Sequence, residues 1–245
     1  FLAAWLLLPL SARWISQPKR QERSNLTPDE TTELLLLARR TWNFFETFVT
    51  EQSCWLPPDN IQLEPQSLVA ERTSPTNIGL LLLSTVSAQE LGFVTALECL
   101  DRCEKTLRSI EKLEKYHGHL LNWYDTRSLL PLEPRYVSTV DSGNLAGHLI
   151  VVKQALLQLP EAPLFSKAHA SGLNACVSLL HNALKDYGEK PEISEKIGEL
   201  SGLVKNLTPQ SLSRWQTQLQ NLLAILERLS PLVLETKADP ENYSS

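Results

Sequence analysis

The chain has 245 residues, a hydrophobic fraction of 42%, a charged fraction of 21% and a formal net charge of −5. These values exclude a disordered or collagen-like chain, and the lack of a basic block beyond the first 25 residues excludes a nucleic-acid-binding face. Leu accounts for 48 residues while β-branched runs are few, which favours helix over sheet. Phe stands first and Met is absent, as expected of a piece of a longer protein.

The first ten residues, FLAAWLLLPL, are apolar without interruption. A bilayer takes about 20 such residues, but the run starts at the chain's first position. Arg13, Lys19, Arg20 and Arg23 follow, and Trp5 and Trp14 flank the transition. An apolar run, then Trp, then positive charge is the order in which a transmembrane helix leaves the bilayer on the cytoplasmic side. Residues 1–15 are therefore expected to be the end of a transmembrane helix and 16–26 a basic juxtamembrane linker, with the soluble part cytoplasmic. A buried helix of a soluble protein is the alternative.

Thr27-Pro-Asp-Glu30 reads as a capping box with Pro at the first helical position. The helix it opens carries Leu34, Leu37, Ala38, Trp42, Phe45 and Phe48 on one face and ends near Thr50. A Pro-rich loop spans Cys54 to Pro65. Ser74-Pro75 starts a helix whose run Ile78–Leu83 is apolar on every side, so it is expected to be buried all round, with Gly92 ending it. Thr95 and Glu98 form a second capping-box pattern. The helix to about Tyr116 has Leu100, Cys103, Leu107 and Ile110 on one side and an outward Glu111–Lys115 pair. A long loop from His117 to Val140 leads through Asp141-Ser-Gly-Asn144 into a second apolar helix at 143–158.

Helices at 165–187, 192–206 and 209–229 follow. The last has a heptad-like seam of Leu212, Trp215, Leu219, Leu222, Leu226 and Leu229, and Pro231 is expected to bend or end it. Cys54, Cys99, Cys103 and Cys176 lack the spacing of a zinc site or a disulfide framework, and Cys99 and Cys103 read as small core residues. Amphipathic helices thus alternate with fully apolar ones. That order predicts an all-α fold of helical hairpins forming part of an α/α toroid over residues 27–245.

Three polar and aromatic segments lead into the apolar helices. The first is Glu71–Asn77, with Arg72 and Asn77; the second Asn122-Trp-Tyr-Asp-Thr-Arg127; the third Ser138–Asn144, with Asp141 and Asn144. If the helix N-termini gather at one rim, Arg72, Asn77, Asn122, Trp123, Tyr124, Asp125, Asp141 and Asn144 face one cavity. Aromatic faces stack on sugar rings, while carboxylates, amides and guanidinium groups bond hydroxyls in pairs, so such a rim suits carbohydrate. Each has a plainer reading. Ser74 and Asp141 or Ser142 serve as caps, Trp123 and Tyr124 as core aromatics, Asp125 and Arg127 as a surface ion pair, and His148 as a core histidine. His117-Gly-His119 reads as a turn and not as a metal site. No cofactor-binding signature is present, and the only acids within the motifs, Asp125 and Asp141, do not read as a catalytic pair.

The stretches Val69–Ser84 (VAERTSPTNIGLLLLS) and Tyr116–Ile150 (YHGHLLNWYDTRSLLPLEPRYVSTVDSGNLAGHLI), with Trp55-Leu-Pro-Pro-Asp-Asn60, resemble the central region of cyclic β-1,2-glucan synthases. The resemblance covers residues 1–160 well and becomes diffuse beyond. It implies a bacterial inner-membrane protein whose transferase part polymerises glucose. A glycoamylase-like (α/α)6 domain then cyclises the chain by transglycosylation, and a phosphorylase-like domain trims it. This chain would be the end of a membrane helix and the first part of the cyclisation domain, with its catalytic acids elsewhere, β-1,2-glucan as its ligand and the rest of the same polypeptide as its partner. A non-catalytic helical module tethered to a membrane, binding carbohydrate or a partner, is the alternative.

Overall fold

The computed structural model describes residues 2–16, 26–163, 165–185, 191–207 and 212–238. The chain divides into two units, residues 1–33 and 34–245. In the first, α1 (Leu2–Ile15) leaves Leu7, Leu8, Trp14 and Ile15 exposed. Among the described residues, no helix is long and apolar enough to cross a membrane. Lys19, Arg20, Arg23, the Trp5 side chain and the polar tail from 239 lie outside the described residues. The capping box forms: Thr27 Oγ1 accepts from the Glu30 N–H, and the Glu30 carboxylate accepts from the Thr27 N–H at 2.8 Å. The Thr27 N–H and then its hydroxyl, both donating to the Glu30 carboxylate, hold that carboxyl below its ordinary pKa, and the box opens α2 (Pro28–Phe48).

Among the described residues from 34 on there are two apolar cores. The first is built by α2, α3 (Pro75–Glu90), α4 (Ala96–Lys112) and α5 (Thr139–Gln158) around Trp42, Leu56, Ile78, Leu82, Cys99 and Val152. Burying one such Ile or Leu contributes about 1.5–3 kcal/mol. The exposed pairs along α4, such as Lys105–Asp101 and Arg108–Glu104, contribute roughly 0.3–0.5 kcal/mol each, so the core decides the packing. Three two-stranded antiparallel ladders decorate it: β1 (Ile61–Gln62) with β2 (Leu68–Val69), β3 (Arg72–Thr73) with β6 (Tyr124–Asp125), and β4 (Lys115–Tyr116) with β5 (His119–Leu120). The fold is all-α in its body, as expected.

Ser74 caps α3 through the Asn77 N–H, with Pro75 at the first helical position. Gly92, at φ +76°, turns the chain out of the helix. Leu80 stays 44% exposed, so α3 is not buried on every side. α3 and α5 run parallel. Near their starts Thr76 Oγ1 donates to Asp141 at 2.6 Å, and one turn further Gly79 faces His148, where an added Cβ would lie 2.4 Å from Nδ1. Only glycine allows that approach.

α5 begins earlier than the expected 143, because Ser138 accepts from the Asp141 N–H and caps it. Asp141 therefore sits in the first turn, where the helix dipole favours an acid, and not at the cap. Only one side of α5 is covered: Val152 is buried while Val140, Ile150, Val151 and Leu157 are exposed.

α4 turns inward a face rotated from the one expected, keeping Cys103 and Ile110 on the core and leaving Leu100 and Leu107 exposed. Cys99, Cys103, Thr106 and Ser109 are buried. The reason is polar: Thr106 and Ser109 hydroxyls donate to the carbonyls of Trp55 and Cys54, satisfying a loop with no ladder partner there. Thr95 caps α4, but the Glu98 carboxylate pairs with Arg102 and does not close a box. Lys115 lies beyond the helix end. Its Nζ donates to the carbonyls of Ile110, Glu111 and Leu113 instead of pairing with the Glu111 side chain.

The second core joins α6 (Lys167–Lys185), α7 (Pro191–Lys205) and α8 (Leu212–Ala238) through Leu184, Ile193, Ile197, Leu200, Trp215 and Leu229. Phe165 stacks on Trp215 with centroids 4.8 Å apart. The α8 seam uses Trp215, Leu219, Leu222 and Leu229, and Leu226 is 43% exposed. Pro231 does not end α8. It and Glu227, whose carbonyl loses its helical partner to the proline, are both exposed residues. α6 meets the first core closely. An added Cβ at Gly172 would lie 2.3 Å from the Gly92 carbonyl oxygen, and Arg39 Nε donates to Cys176 Sγ at 3.2 Å.

Candidate functional site

The β3–β6 ladder organises the candidate residues. Its register pairs Arg72 with Asp125 and Thr73 with Tyr124. Side chains alternate across a strand. Asn122, Tyr124 and Thr126 therefore point inward and are buried, whereas Trp123 and Asp125 point outward with Arg72. Read as one loop, 122–127 appeared uniformly available; read as a strand, half of it belongs to the core.

Tyr124 is accordingly a core residue and has no free face for a ligand. It is fully buried, its hydroxyl accepts from the Leu121 N–H and donates to the Glu114 carbonyl, and burial raises its pKa. Asn122 is buried too, with its backbone N–H on the Tyr136 carbonyl and its Oδ1 without a partner among the described residues.

Asp125 is outward but engaged in its own turn. Oδ1 accepts from the Arg127 N–H, the Ser128 N–H and the Ser128 hydroxyl. Arg127 does not pair with it in the way an ion pair would; it reaches Glu71. His117 and Gly118 both have positive φ and make the β4–β5 turn.

The remaining candidates form a contiguous set. Asp59, in the Trp55–Asn60 segment, accepts from Arg72 Nη2 at 3.1 Å, from Arg72 Nε at 3.3 Å and from Asn77 Nδ2 at 3.3 Å. The Arg72 guanidinium lies over the half-buried Trp123 ring, 4.8 Å from its centroid. On the neighbouring turn Thr76 Oγ1 donates to Asp141 and accepts from Asn144 Nδ2 at 3.1 Å. Arg72, Asn77 and Trp123 thus meet around Asp59, and Asp141 and Asn144 meet around Thr76, one residue before Asn77. Sequence reasoning missed Asp59 and Thr76. Their signal was position: each lies inside a motif segment, beside residues already singled out.

The helical hairpins thus carry a polar rim with one aromatic ring, built from Arg72, Asn77, Trp123, Asp141 and Asn144. The likeness to cyclic β-1,2-glucan synthases is borne out: the chain is 44% identical over 207 residues, 84% of its length, to the cyclic beta-(1,2)-glucan synthase NdvB of Rhizobium meliloti (strain 1021). It spans 7% of that relative's length. A putative glucoamylase from Bacteroides fragilis is similar in structure, with a TM-score of 0.44 and 18% identity, over 58% of this chain and 37% of that one. No family model matches the chain.

The Asp125 turn makes a pH prediction. Bonds from the Ser128 N–H, then the Ser128 hydroxyl and Arg127, lower its carboxyl pKa from 3.8 against the opposing effect of burial. A depressed folded pKa gives stability that is complete above the unfolded value and lost as pH falls through the folded one. Denaturant unfolding should show Asp125→Asn less stable than wild type at pH 7, with the gap closing below pH 3.8. A gap of constant size across that range would contradict the assignment.

Proposed function

We propose that this chain is part of a membrane-bound cyclic β-1,2-glucan synthase and contributes glucan-binding loops to a glycoamylase-like domain that closes linear glucan by transglycosylation. The observation that carries the reading is the convergence of Arg72, Asn77, Trp123, Asp141 and Asn144, inside a segment similar to such a synthase, at the adjoining N-termini of two parallel helices. Trp123 stacks on a glucose ring, Arg72 donates to hydroxyls, Asp141 accepts from them, and the two amides do both. Asp125 borders the rim. The catalytic acids are not among these residues, and the chain alone turns nothing over. Residues 1–15 and 16–26 are read as the membrane exit and its linker at a bacterial inner membrane, and 27–245 as the first part of the barrel on the cytoplasmic side.

The partner of α5 is a further inner helix of the same polypeptide. α3 and α5 share the pattern Ser-x-x-Asn/Asp-x-Gly, as Ser74, Asn77, Gly79 and Ser138, Asp141, Gly143. In α3 the glycine receives His148, whereas nothing lies within 4 Å of an added Cβ at Gly143. The next helix packs on α5 as α5 packs on α3.

Two measurements test these readings. In calorimetric titration of the chain with linear β-1,2-glucooligosaccharide, Trp123→Ala should weaken binding about tenfold, the loss of about 1.4 kcal/mol of stacking; unchanged affinity removes Trp123 from the site. Gly143→Ala should stabilise this chain by up to about 1 kcal/mol, as alanine does in an open helix position. It should destabilise the polypeptide extended by the helices that follow. A gain in both means that the face stays uncovered.

A further inference from the structure

Resting on the glucan reading, we infer that Asp59 is a positioning residue that holds the Arg72 guanidinium against one face of Trp123 and so makes Trp123 a platform with a single open side. Asp59 is itself fixed. Its N–H donates to the Ala70 carbonyl at 3.1 Å, and the Ala70 N–H donates to the Asn60 carbonyl at 3.0 Å. The carboxylate side chain is 20% exposed and that of Arg72 is 51% exposed, so the acid is the anchored member of the pair.

Asp59 divides its oxygens between two tasks. Oδ2 takes Arg72 Nε and Nη2, two of the five donors of the guanidinium, together with Asn60 Nδ2 at 3.0 Å; Oδ1 takes Asn77 Nδ2. Arg72 and Asn77, two of the proposed sugar contacts, are thus aimed by one carboxylate. An arginine without that anchor is a long side chain free to leave the ring.

The consequence is a specificity device. A guanidinium 4.8 Å from the indole centroid occupies one π-face by cation–π contact, so a sugar ring stacks only on the other. The donors of Arg72 not used by Asp59 rim the platform and reach the hydroxyls of that ring. A glucan crosses Trp123 on one side, in one register, with its hydroxyls set by Arg72. A half-exposed ion pair adds little to folding stability, so the arrangement is not explained by stability alone.

The test uses the 245-residue chain labelled with 5-fluorotryptophan, the Trp123 ¹⁹F resonance being assigned by its loss in Trp123→Phe. Without sugar, Asp59→Asn should shift the Trp123 resonance and leave the other tryptophans in place. With linear β-1,2-glucooligosaccharide, Asp59→Asn should weaken binding about tenfold, the size expected for loss of a charge-assisted hydrogen bond, while the unfolding midpoint stays at the wild-type value. Arg72→Lys, which keeps the charge and loses the fork, should bind more weakly than wild type and better than Arg72→Ala. An unmoved Trp123 resonance in Asp59→Asn, or wild-type affinity in that variant, overturns the positioning role while binding by wild type leaves the glucan reading intact. A wild type that binds no glucan, with the resonance still shifted by Asp59→Asn, overturns the glucan reading and the platform role with it.

Discussion

The side-by-side start of α3 and α5 is the constraint on which the rest of the structure depends. It is fixed at two heights, by the Thr76 hydroxyl on Asp141 and by His148 seated on Gly79. The first is polar and sets the register of the two N-termini. The second is steric: a Cβ at position 79 would run into the His148 side chain, so glycine there lets that side chain seat against α3. With that pair in place, Ile78, Leu82 and Val86 of α3 and Leu149, Val152 and Leu156 of α5 join one core. The rim follows as well: Asn144 reaches Thr76 only because the two first turns are level.

A second constraint acts on the rim from outside the helices. The short β3–β6 ladder is too small to stabilise much by itself. Its value is parity. It sends Tyr124 and Thr73 into the core and turns Trp123, Asp125 and Arg72 outward. Tyr124 then ties the preceding segment down through Leu121 and Glu114, so the outward residues stand on a fixed base. The same economy recurs on α4, where Thr106 and Ser109 spend their hydroxyls on the carbonyls of the Pro-rich loop and thereby fix the segment that carries Asp59.

Much of this was legible in the sequence, and the legible part was local. The caps at Thr27, Ser74 and Thr95, the turn at Gly92 and the turn at His117-Gly118 depend on residues within a few positions of one another. The helical hairpins followed from periodicity, and the likeness to glucan synthases followed from long contiguous motifs. What failed was decided at a distance. The buried face of α4 was chosen by carbonyls more than 50 residues away, which no periodicity in α4 could report. Tyr124 was read as a ligand contact because a two-residue strand carries too little alternation to be seen without its partner. Pro231 was expected to bend or end α8, and the helix runs on past it to Ala238. Asp59 was missed because its importance lies in Arg72 and Asn77, which are close to it only once β3 is formed.

The central claim is that the two N-termini and the outward strand residues form one glucan-binding rim. Backbone and side-chain amide NMR of the chain, titrated with linear β-1,2-glucooligosaccharide, tests it most directly. The account predicts that saturable shifts concentrate on Arg72, Asn77, the Trp123 indole, Asp141 and Asn144, with Tyr124 and the α6–α8 core unmoved. Shifts confined to other surfaces, or none at saturating sugar, would contradict it.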